Sequence, residues 1–503
     1  MNEGPHRSTR RVLLKASVAG ALIAAAPARA QSDAMKLGAE KASEGAVHKQ
    51  GEAISPVMRM VATYIVQARM NPLPDAVTEV TKHHLLDTLA AMISGSHLLP
   101  GKKAIAYVTA QGGAKEACVP GSRIVTTVVN AALAGGMLGH SDETDDTHGP
   151  SSTHPGVGVV PAALAMAEHV DADGTALLRA VALGYDIGTR LAMALGGAAF
   201  SAAGHATHSF GPTFGAAAAC GSLAGFSADQ VRHLLSYCAQ QASGVSYWAR
   251  DTEHIEKAFV FGGMPARNGA AAASMIASGM TGVDDAFSGD RNFFFAYGPK
   301  SNPEELVREL GARYEVFRTD IKRWSVGAPI QAPLDSLYEL IRQDKLKAAD
   351  VEKVVVRLSH QGVRTVDNRS MPDICLQHMM AVMLIDGTAT FDAAHDVARM
   401  QDPKVLELRK RIDLVGDDEL ERLMPNRQGI VELKLRDGRE LRHHTVFVRG
   451  TAQNRMNRQE VDEKCYSLFV PVLGRKRARD LIDTVWQIEQ VKNVRALRPL
   501  LSA

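Results

Sequence analysis

The residue types best suited to chemistry lie in one short stretch, residues 139–163, which reads Gly-His-Ser-Asp-Glu-Thr-Asp-Asp-Thr-His-Gly-Pro-Ser-Ser-Thr-His-Pro-Gly-Val-Gly-Val-Val-Pro-Ala-Ala. It holds four carboxylates and three imidazoles, and an apolar helix pattern follows it directly. Acids and bases on a turn anchored to a helix suit proton transfer, because imidazole changes charge near neutral pH. The alternative is a solvated acidic loop that caps the helix. The seven side chains are Asp142, Glu143, Asp145, Asp146, His140, His148 and His154.

A second histidine-bearing segment, residues 204–211, reads Gly-His-Ala-Thr-His-Ser-Phe-Gly. We expect a helix to begin shortly after it, near Ala216. His205 and His208 stand three residues apart, a spacing that suits either a site with proton-transfer groups or a metal pair. Ser209 adds a hydroxyl that could bind a ligand.

Two lysines stand in segments that could belong to the same site. Lys257 lies in Glu-His-Ile-Glu-Lys-Ala-Phe, residues 253–259, just before a glycine pair. On a helix surface it would instead pair with Glu253, four residues earlier. Lys322 precedes a tryptophan, and its alternative role is a salt bridge with Asp320.

The acidic stretch does not match a calcium-binding loop. An EF-hand loop that starts at Asp142 needs an acid or asparagine at position 144, glycine at 147 and glutamate at 153. This chain has Thr144, Thr147 and Thr153 there. A His/Asp transition-metal hydrolase stays an alternative, although the sequence has no His-Glu-x-x-His zinc motif.

The elements that must position these groups are mainly helical. Apolar residues recur at helical spacing through residues 84–93 and 176–195, and the pattern continues from about residue 56 to 282. Residues 191–228 carry no charge other than any on their two histidines, but repeated glycines and a proline argue against a membrane span.

Strand patterns appear only after about residue 302. Residues 351–358 alternate like a strand, and residues 429–436 and 440–442 flank an Asp-Gly turn that predicts a hairpin. Further helices are predicted over residues 334–343, 377–384, 403–411 and 458–501, with 370–374 at a helix start.

These patterns predict a mainly α protein with a large helical domain built from both ends of the chain and an inserted, smaller α+β lid. The predicted segments are a signal peptide at 1–30, a leader at 31–55, helical parts at 56–305 and 446–503, and the lid at 310–445.

Composition narrows the class of protein. The chain has 503 residues, of which 46% are hydrophobic and only 5% aromatic, and this favours closely packed helices. Its net charge is +2, but residues 1–30 hold five basic side chains and one acid, so the remainder carries −2. No basic stripe remains, and we expect no nucleic-acid partner. Five dispersed cysteines predict buried thiols rather than a disulfide framework.

The N-terminus predicts export. Ser-Thr-Arg-Arg-Val-Leu-Leu-Lys at residues 8–15 resembles the twin-arginine signal, an apolar run follows over 16–26, and Ala-Arg-Ala at 28–30 is typical of a cleavage site. We expect a periplasmic or secreted protein that has no membrane contact once the signal is removed.

The chemical motifs also share one family pattern. It comprises Asp145, Asp146, Thr147 and His148, then Thr153, His154 and Pro155, with Gly184-Tyr185, Lys257, Lys322 before Trp324, and Leu384-Ile385-Asp386-Gly387. Over about residues 56–501 the chain resembles the MmgE/PrpD family, which includes 2-methylcitrate dehydratase, cis-aconitate decarboxylase and iminodisuccinate epimerase.

The resemblance implies a homodimer with a helical body and an α+β lid, active without a metal ion or organic cofactor. It implies a cleft lined by Glu143, Thr147, His154, His208, Lys257 and Lys322. Abstraction of a proton α to a carboxylate needs a base and cations that stabilise the resulting dianion. We assign His154 as base or acid with His208 as its counterpart, and the two lysines as binders of carboxylate and transition state.

The remaining candidates would bind substrate. Thr147 and Ser209 would donate hydrogen bonds, and the other members of the substrate-binding set are Glu143, Asp146, His148 and His205.

The chain also departs from the family pattern. Glu143 stands where aspartate is usual, and the shortened histidine segment makes His205 an alternative to His208. Ala328 and Gln331 occupy positions often held by arginine and histidine. The contacts to substrate carboxylates are therefore altered.

We expect a lyase, most simply a dehydratase that acts on a small di- or tricarboxylate. The alternatives are an isomerase or epimerase, a decarboxylase of the same family, and an exported carboxylate-binding protein without activity.

Overall fold

Helices form most of the chain in the computed structural model, which describes residues 54–298 and 300–503. The mainly α prediction is confirmed. The predicted signal peptide and all but the last two residues of the leader lie outside the described residues. Among the described helices, none combines the length and the apolar character needed to cross a bilayer.

Helices make up most of the first half of the chain. They are α1 (Pro56–Ala68), α2 (Asp75–Gly95), α3 (Leu99–Gln111), α4 (Val128–Gly139), α5 (Pro155–His169), α6 (Gly174–Ala194), α7 (Gly197–Ala202), α8 (Thr207–Ala224), α9 (Ala228–Gln241), α10 (Ile255–Ala258), α11 (Met264–Ala277) and α12 (Phe293–Tyr297).

The second half mixes helices with a sheet. Its helices are α13 (Ala328–Asp344), α14 (His360–Val366), α15 (Leu376–Asp386), α16 (Phe391–His395), α17 (Pro403–Arg409), α18 (Asp418–Arg422), α19 (Arg458–Leu473), α20 (Arg475–Trp486) and α21 (Arg498–Leu501). The strands of the chain are β1 (Ala117–Cys118), β2 (Val125–Thr126), β3 (Val351–Leu358), β4 (Ile412–Gly416), β5 (Gly429–Leu435) and β6 (Glu440–Thr445).

The four longer strands form one sheet in the order β4-β3-β5-β6. The predicted strand at 351–358 and the predicted hairpin are both present, and β5 and β6 pair antiparallel. Strand β4 was not predicted. It pairs parallel to β3 over long sequence separation, and a single short segment carries no signal of such a partner.

Buried apolar side chains gather into two large clusters. The first combines residues between Val57 and Ile321 with residues between Met456 and Leu501, so helices from both ends of the chain share it. The second lies between Trp324 and Leu435 and covers the sheet with α13 and α15. The domain boundaries predicted from the sequence stay a prediction.

Small residues let the helices of the first cluster approach closely. Helices α6 and α8 pack so tightly that a Cβ added at Gly211 would lie 2.4 Å from the carbonyl oxygen of Gly188. Helix α8 begins at Thr207, which corrects the predicted start near Ala216. Pro212 is accommodated within the helix, although it removes one backbone hydrogen bond there.

The five cysteines are buried free thiols, as predicted.

Candidate active site

The loop between α4 and α5 is held in shape by two short antiparallel bridges. His148 pairs with Thr153 across the turn, and Thr147 pairs with Asp320 through backbone bonds of 2.9 and 2.8 Å. Helix α5 then starts with Pro155, whose fixed backbone suits a first helical position. The acidic stretch is therefore a folded loop with buried side chains rather than a solvated cap.

Asp145 binds two imidazoles at once. His154 Nδ1 lies 2.8 Å from one carboxylate oxygen, and His140 Nδ1 lies 3.0 Å from the same oxygen. Because a carboxylate only accepts, both imidazoles carry their proton on Nδ1. Burial alone would raise the pKa of Asp145, but His140, His154 and Lys322 hold it well below its ordinary value. The charged Asp145 thus holds the Nδ1 proton of His154, and Nε2 is the atom left to accept a proton.

Glu143 lies between two ammonium groups. Its side chain pairs with Lys257, and its backbone carbonyl accepts a hydrogen bond of 2.9 Å from Lys322 Nζ. Lys322 Nζ also lies 3.5 Å from Asp145 Oδ1. Burial works against ionisation of Glu143, yet the two lysines hold its pKa well below the usual range. Neither lysine takes the alternative partner considered from the sequence, Glu253 or Asp320.

The segment that carries Lys257 contacts α4 directly. Phe259–Gly263 forms a single π-helical turn, a feature frequent at functional sites. A Cβ at Gly262 would lie 2.0 Å from the carbonyl oxygen of Gly136, so only glycine allows this approach. His254, just before α10, has φ of +62° although it is buried, which is a strained conformation for a non-glycine residue.

Aromatic rings hold the imidazoles in place. Phe261 stacks on His208 with ring centroids 3.9 Å apart and on His140 at 4.4 Å. Lys257 Nζ lies 5.3 Å from the Phe261 centroid and 5.6 Å from that of Trp248. These contacts restrict the side chains without occupying their polar atoms.

A cavity of about 350 Å³ opens in front of these groups. One wall is formed by Glu143, His154, His208 and Lys257, and we call these four residues the body wall. Three arginines from the second half of the chain also line this cavity, and we call Arg364, Arg369 and Arg427 the lid wall. The cavity therefore places a base, an ion pair and several cations around one space.

His208 is a neutral imidazole in this setting. Burial, followed by the nearby His154, His140 and Lys257, holds its pKa well below the ordinary value. Its Nδ1 is buried and has no hydrogen-bond partner within the described ranges. A bound anion is the type of ligand that would raise its proton affinity.

A second cavity, of about 200 Å³, adjoins the first. It is lined by Thr147, Asp320 and Lys322, and it shares Ala328 and Arg427 with the larger cavity. The Thr147 hydroxyl is buried and finds no partner among the residues described. Thr147 and Lys322 thus lie beside the main cavity rather than on its wall.

Four predicted substrate-binding residues do not reach either cavity. Asp146 accepts from Tyr185 Oη at 2.6 Å and contacts His84 Nδ1 at 2.9 Å, both buried. His148 is held by Ser151 and Glu315. These two side chains support the loop from behind.

The other two lie around α8. The His205 ring stacks on Phe200 with centroids 4.7 Å apart, and the Ser209 hydroxyl donates to backbone carbonyls, at 3.1 Å to that of Ala206. The structure thus places His208, not His205, at the cavity. His205 and His208 do not form the alternative metal pair, because the His205 ring stacks on Phe200 and the His208 ring stacks on Phe261.

Several residues that the structure places at the site had no individual role assigned from the sequence. His140 and Asp145 belong to the stretch that opened the sequence analysis, and His254 belongs to the Lys257 segment, so their proximity to assigned groups was the available signal. Phe261 and Arg427 are single residues outside any charged pattern, and nothing in the sequence distinguished them.

Among the described residues, two clusters have spacing that could hold a metal ion. His140, Asp145 and His154 form one, and His140, Glu143 and His254 the other, with ligand atoms within 4.8 Å of one another. The Asp145 oxygens already accept from both imidazoles of the first cluster. In the second, the adjacent Lys257 and Lys322 disfavour a dication, because they already neutralise Glu143.

Comparison of the chain with protein families identifies the class of protein to which this fold and site belong. Residues 59–306 match the MmgE/PrpD N-terminal domain, and residues 324–490 match the MmgE/PrpD C-terminal domain. The chain belongs to the MmgE/PrpD family.

Curated relatives are distant but extend over most of the chain. A cis-aconitate decarboxylase of Aspergillus terreus is 23% identical over 467 residues, covering 86% of this chain and 92% of the relative. A cis-aconitate decarboxylase-like protein of Aspergillus oryzae is 26% identical over 303 residues, covering 56% of this chain and 61% of that relative's length.

Proposed function

We propose that this protein is a lyase that removes a proton α to a carboxylate of a small polycarboxylate, most simply as a dehydratase. The observation that carries this proposal is the Asp145–His154 pair beside a cavity lined with cations. The family and its decarboxylase relatives support the general class of enzyme.

His154 is the base in this reaction. Its Nδ1–H donates to Asp145, and the imidazolium formed when Nε2 takes a proton lies against a buried carboxylate that stabilises it. General base catalysis of this kind contributes roughly 10²- to 10⁴-fold in rate.

Lys257 stabilises the charge that develops on the substrate. Loss of the α-proton places negative charge on the adjacent carboxylate, which this ammonium group can meet. Lys257 already forms an ion pair with Glu143. A substrate carboxylate therefore either replaces Glu143 beside Lys257 or binds Lys257 together with Glu143.

The electron pair left on the α-carbon forms a carbon–carbon double bond as the β-hydroxyl group departs. That hydroxyl leaves as water once it receives a proton. His208 is placed to pass this proton, because a bound polyanion raises the proton affinity of its otherwise neutral ring.

Decarboxylation is the second candidate, favoured by the similarity to a cis-aconitate decarboxylase and a cis-aconitate decarboxylase-like protein. There carbon dioxide leaves instead of water, and an imidazole returns a proton to the α-carbon. Both reactions need the body wall, but decarboxylation releases carbon dioxide and loses one carboxylate.

Proton NMR in deuterated water separates these reactions. Purified protein beginning near Gln31 is incubated with EDTA and with citrate, 2-methylcitrate, cis-aconitate or malate. A new vinyl signal from a hydroxy acid is expected for dehydration, whereas loss of carbon dioxide from cis-aconitate identifies decarboxylation. Exchange of an α-proton without net reaction identifies an isomerase.

The control is Lys257→Ala, which is expected to abolish turnover. Full activity in that variant would contradict the assigned role of Lys257. If substrates stabilise the protein thermally but nothing reacts, with or without added metals, the carboxylate-binding protein is the correct alternative.

We further propose export by the twin-arginine route and assembly as a homodimer. Export rests on the arginine pair Arg10–Arg11, the apolar run and the cleavage motif. In a host with that pathway, Arg10→Lys/Arg11→Lys should leave the protein in the cytoplasm, and wild type should appear in the periplasm cut after Ala30. Light scattering of the mature protein measures the dimer directly.

A further inference from the structure

The strongest unexplained charge near the site belongs to Arg427. It lies between α18 and β5, in a segment whose residues line both cavities. The guanidinium donates no hydrogen bond to the described residues and has no carboxylate at ion-pair distance. An unpaired cation in such surroundings is costly unless an anion binds there.

The surroundings of Arg427 explain why it lacks a partner. Asp320 and Glu143 are the acids whose charges reach it. Glu143 is already paired with Lys257, and an oxygen of Asp320 accepts the backbone N–H of Ala452 at 3.0 Å. Burial also raises the pKa of Asp320 to about 6, and the structure gives no ion pair between this carboxylate and Arg427 among the described residues.

Protein atoms surround Arg427, yet its side chain is partly accessible. Both cavities include Arg427 among their lining residues, so its accessible surface borders them. Burial lowers the pKa of its guanidinium. The position is therefore suited to an anion that enters the cavity.

The other two arginines of the lid wall are less specialised. Arg364 is exposed to solvent, and Arg369 makes a long contact of 3.5 Å with the carbonyl oxygen of Ala249. Ala328, which also borders both cavities, contributes only a methyl group there. Arg427 is thus the cation at the junction of the two cavities that has no protein partner in the described ranges.

We propose that Arg427 is a substrate-binding residue that holds a second carboxylate of the substrate at the junction of the two cavities. The inference rests on the proposed function and deepens it. One carboxylate lies beside Lys257 for proton abstraction, and another, remote from the reacting carbon, binds Arg427. The substrate is then a di- or tricarboxylate whose carboxylates are separated along the chain, and a monocarboxylate binds poorly.

Direct binding tests this inference without turnover. Tricarballylate, a tricarboxylate with no leaving group, is titrated calorimetrically into wild type, Arg427→Gln and Arg427→Lys at fixed ionic strength. Arg427→Gln should weaken binding roughly tenfold to a hundredfold, as expected for loss of a charged hydrogen-bonding partner. Arg427→Lys should recover only part of the affinity, because it keeps the charge but not the planar fork.

Two matched controls come from the same region. Arg422 is exposed on α18, five residues earlier, and Arg422→Gln should leave binding unchanged. Arg364→Gln removes a charge from the cavity rim and should weaken binding by no more than about threefold, as for other exposed charges.

A second readout separates binding from folding. Without ligand, Arg427→Gln should melt at the same or a higher temperature than wild type, because it removes an uncompensated charge. Tricarballylate should raise the melting temperature of wild type but not that of this variant.

The inference is overturned if Arg427→Gln binds tricarballylate within twofold of wild type, or if wild type binds neither tricarballylate nor citrate. Turnover reports on the proposed function separately. Binding that depends on Arg427 in a protein without turnover keeps the inference and removes the lyase. Turnover with an unchanged KM in Arg427→Gln keeps the lyase and removes the inference.

Discussion

The two walls of the main cavity differ in how their charges are satisfied. On the body wall, Glu143 is paired with Lys257, and His154 is bound to Asp145 behind it. On the lid wall, Arg364, Arg369 and Arg427 have no carboxylate partner among the described residues. One wall is internally neutralised and the other is left cationic.

This difference separates two tasks. A base must hold one tautomer and one orientation before substrate arrives, so its partners are built into the fold. A binding group gains more from an anion if no protein carboxylate competes for it. The body wall is therefore prepared for chemistry, and the lid wall is prepared to recognise carboxylates.

The largest predicted effect is on the body wall. Lys257→Met should lower kcat by roughly 10²- to 10³-fold, because it removes a cation positioned at the developing charge. It should also destabilise the fold, since Glu143 is left with less compensation. Activity assays and thermal melts measure both effects, and Lys102→Met, at an exposed helix position, is the matched control.

The double variant Lys257→Met/Glu143→Gln distinguishes catalysis from folding. Removal of both charges should restore most of the stability while kcat stays low. Recovery of kcat together with stability would mean that Lys257 serves only the fold.

The next effect concerns the tautomer of the base. Asp145→Asn keeps the size of the side chain but offers only one acceptor oxygen to two imidazoles. We expect kcat to fall roughly 10²-fold or more with little change in KM, and the pH–rate profile to shift. The control is Asp146→Asn, because Asp146 bonds Tyr185 and His84 and does not line the cavity. This variant should lose more stability than kcat.

A smaller effect links the lid to the loop that carries Glu143. His395 on α16 lies with Nε2 3.0 Å from Asp142 Oδ2, an ion pair whose hydrogen-bond alignment is poor. Burial acts to lower the pKa of His395, but Asp142, aided by Asp373, raises it to about 9. The native pKa exceeds the unfolded one, so this stabilisation is complete below about pH 6.5 and is lost as pH rises through about 9.

His395→Gln should therefore lower the free energy of unfolding at pH 6 by on the order of 3 kcal/mol, and this difference should shrink between pH 6.5 and 9 and be nearly gone above pH 9. Urea denaturation at a series of pH values measures it. His360→Gln, which removes an exposed histidine that pairs with Asp418 at 2.8 Å, should show little such difference. A constant difference across the pH range would show that packing, not charge, is lost.

The smallest effect has the opposite sign. Burial raises the pKa of Asp373 to about 7, opposed by His395 and reinforced by Glu143 and Asp142. Ionised Asp373 therefore costs stability above about pH 7, and the cost disappears towards pH 4. Asp373→Asn should therefore stabilise the protein at pH 8 by at least about 1 kcal/mol, and the gain should disappear towards pH 4. A destabilised variant at pH 8 would contradict this.

Much of the fold and half of the site could be predicted from the sequence. Helical periodicity and the Asp-Gly turn are local signals, so the helices and the β5–β6 hairpin were found. Strand β4 depends on a distant partner and was missed. Glu143, His154, His208 and Lys257 line the main cavity. They were candidates because the family resemblance implied them and because ionisable groups crowd into their segments; their roles stay a prediction.

The rest of the site depends on side-chain direction. Asp145 and Asp146 are neighbours, yet one supports His154 and the other turns towards Tyr185. The bridges at Thr147 and His148 set these directions, and sequence spacing does not reveal them. Arg427 is significant only because nothing near it is free to pair with it, which is a property of the folded chain.

The most direct test asks whether the body wall does the chemistry and the lid wall binds carboxylates. It measures α-proton exchange by NMR in deuterated water, at saturating substrate, for His154→Gln and Arg427→Gln. His154→Gln should lose exchange by roughly 10³-fold while it still binds tricarballylate. Arg427→Gln should need more substrate but should exchange at a rate near that of wild type once saturated. Exchange that survives in His154→Gln, or that vanishes at saturation in Arg427→Gln, would contradict the assignment of chemistry to one wall and recognition to the other.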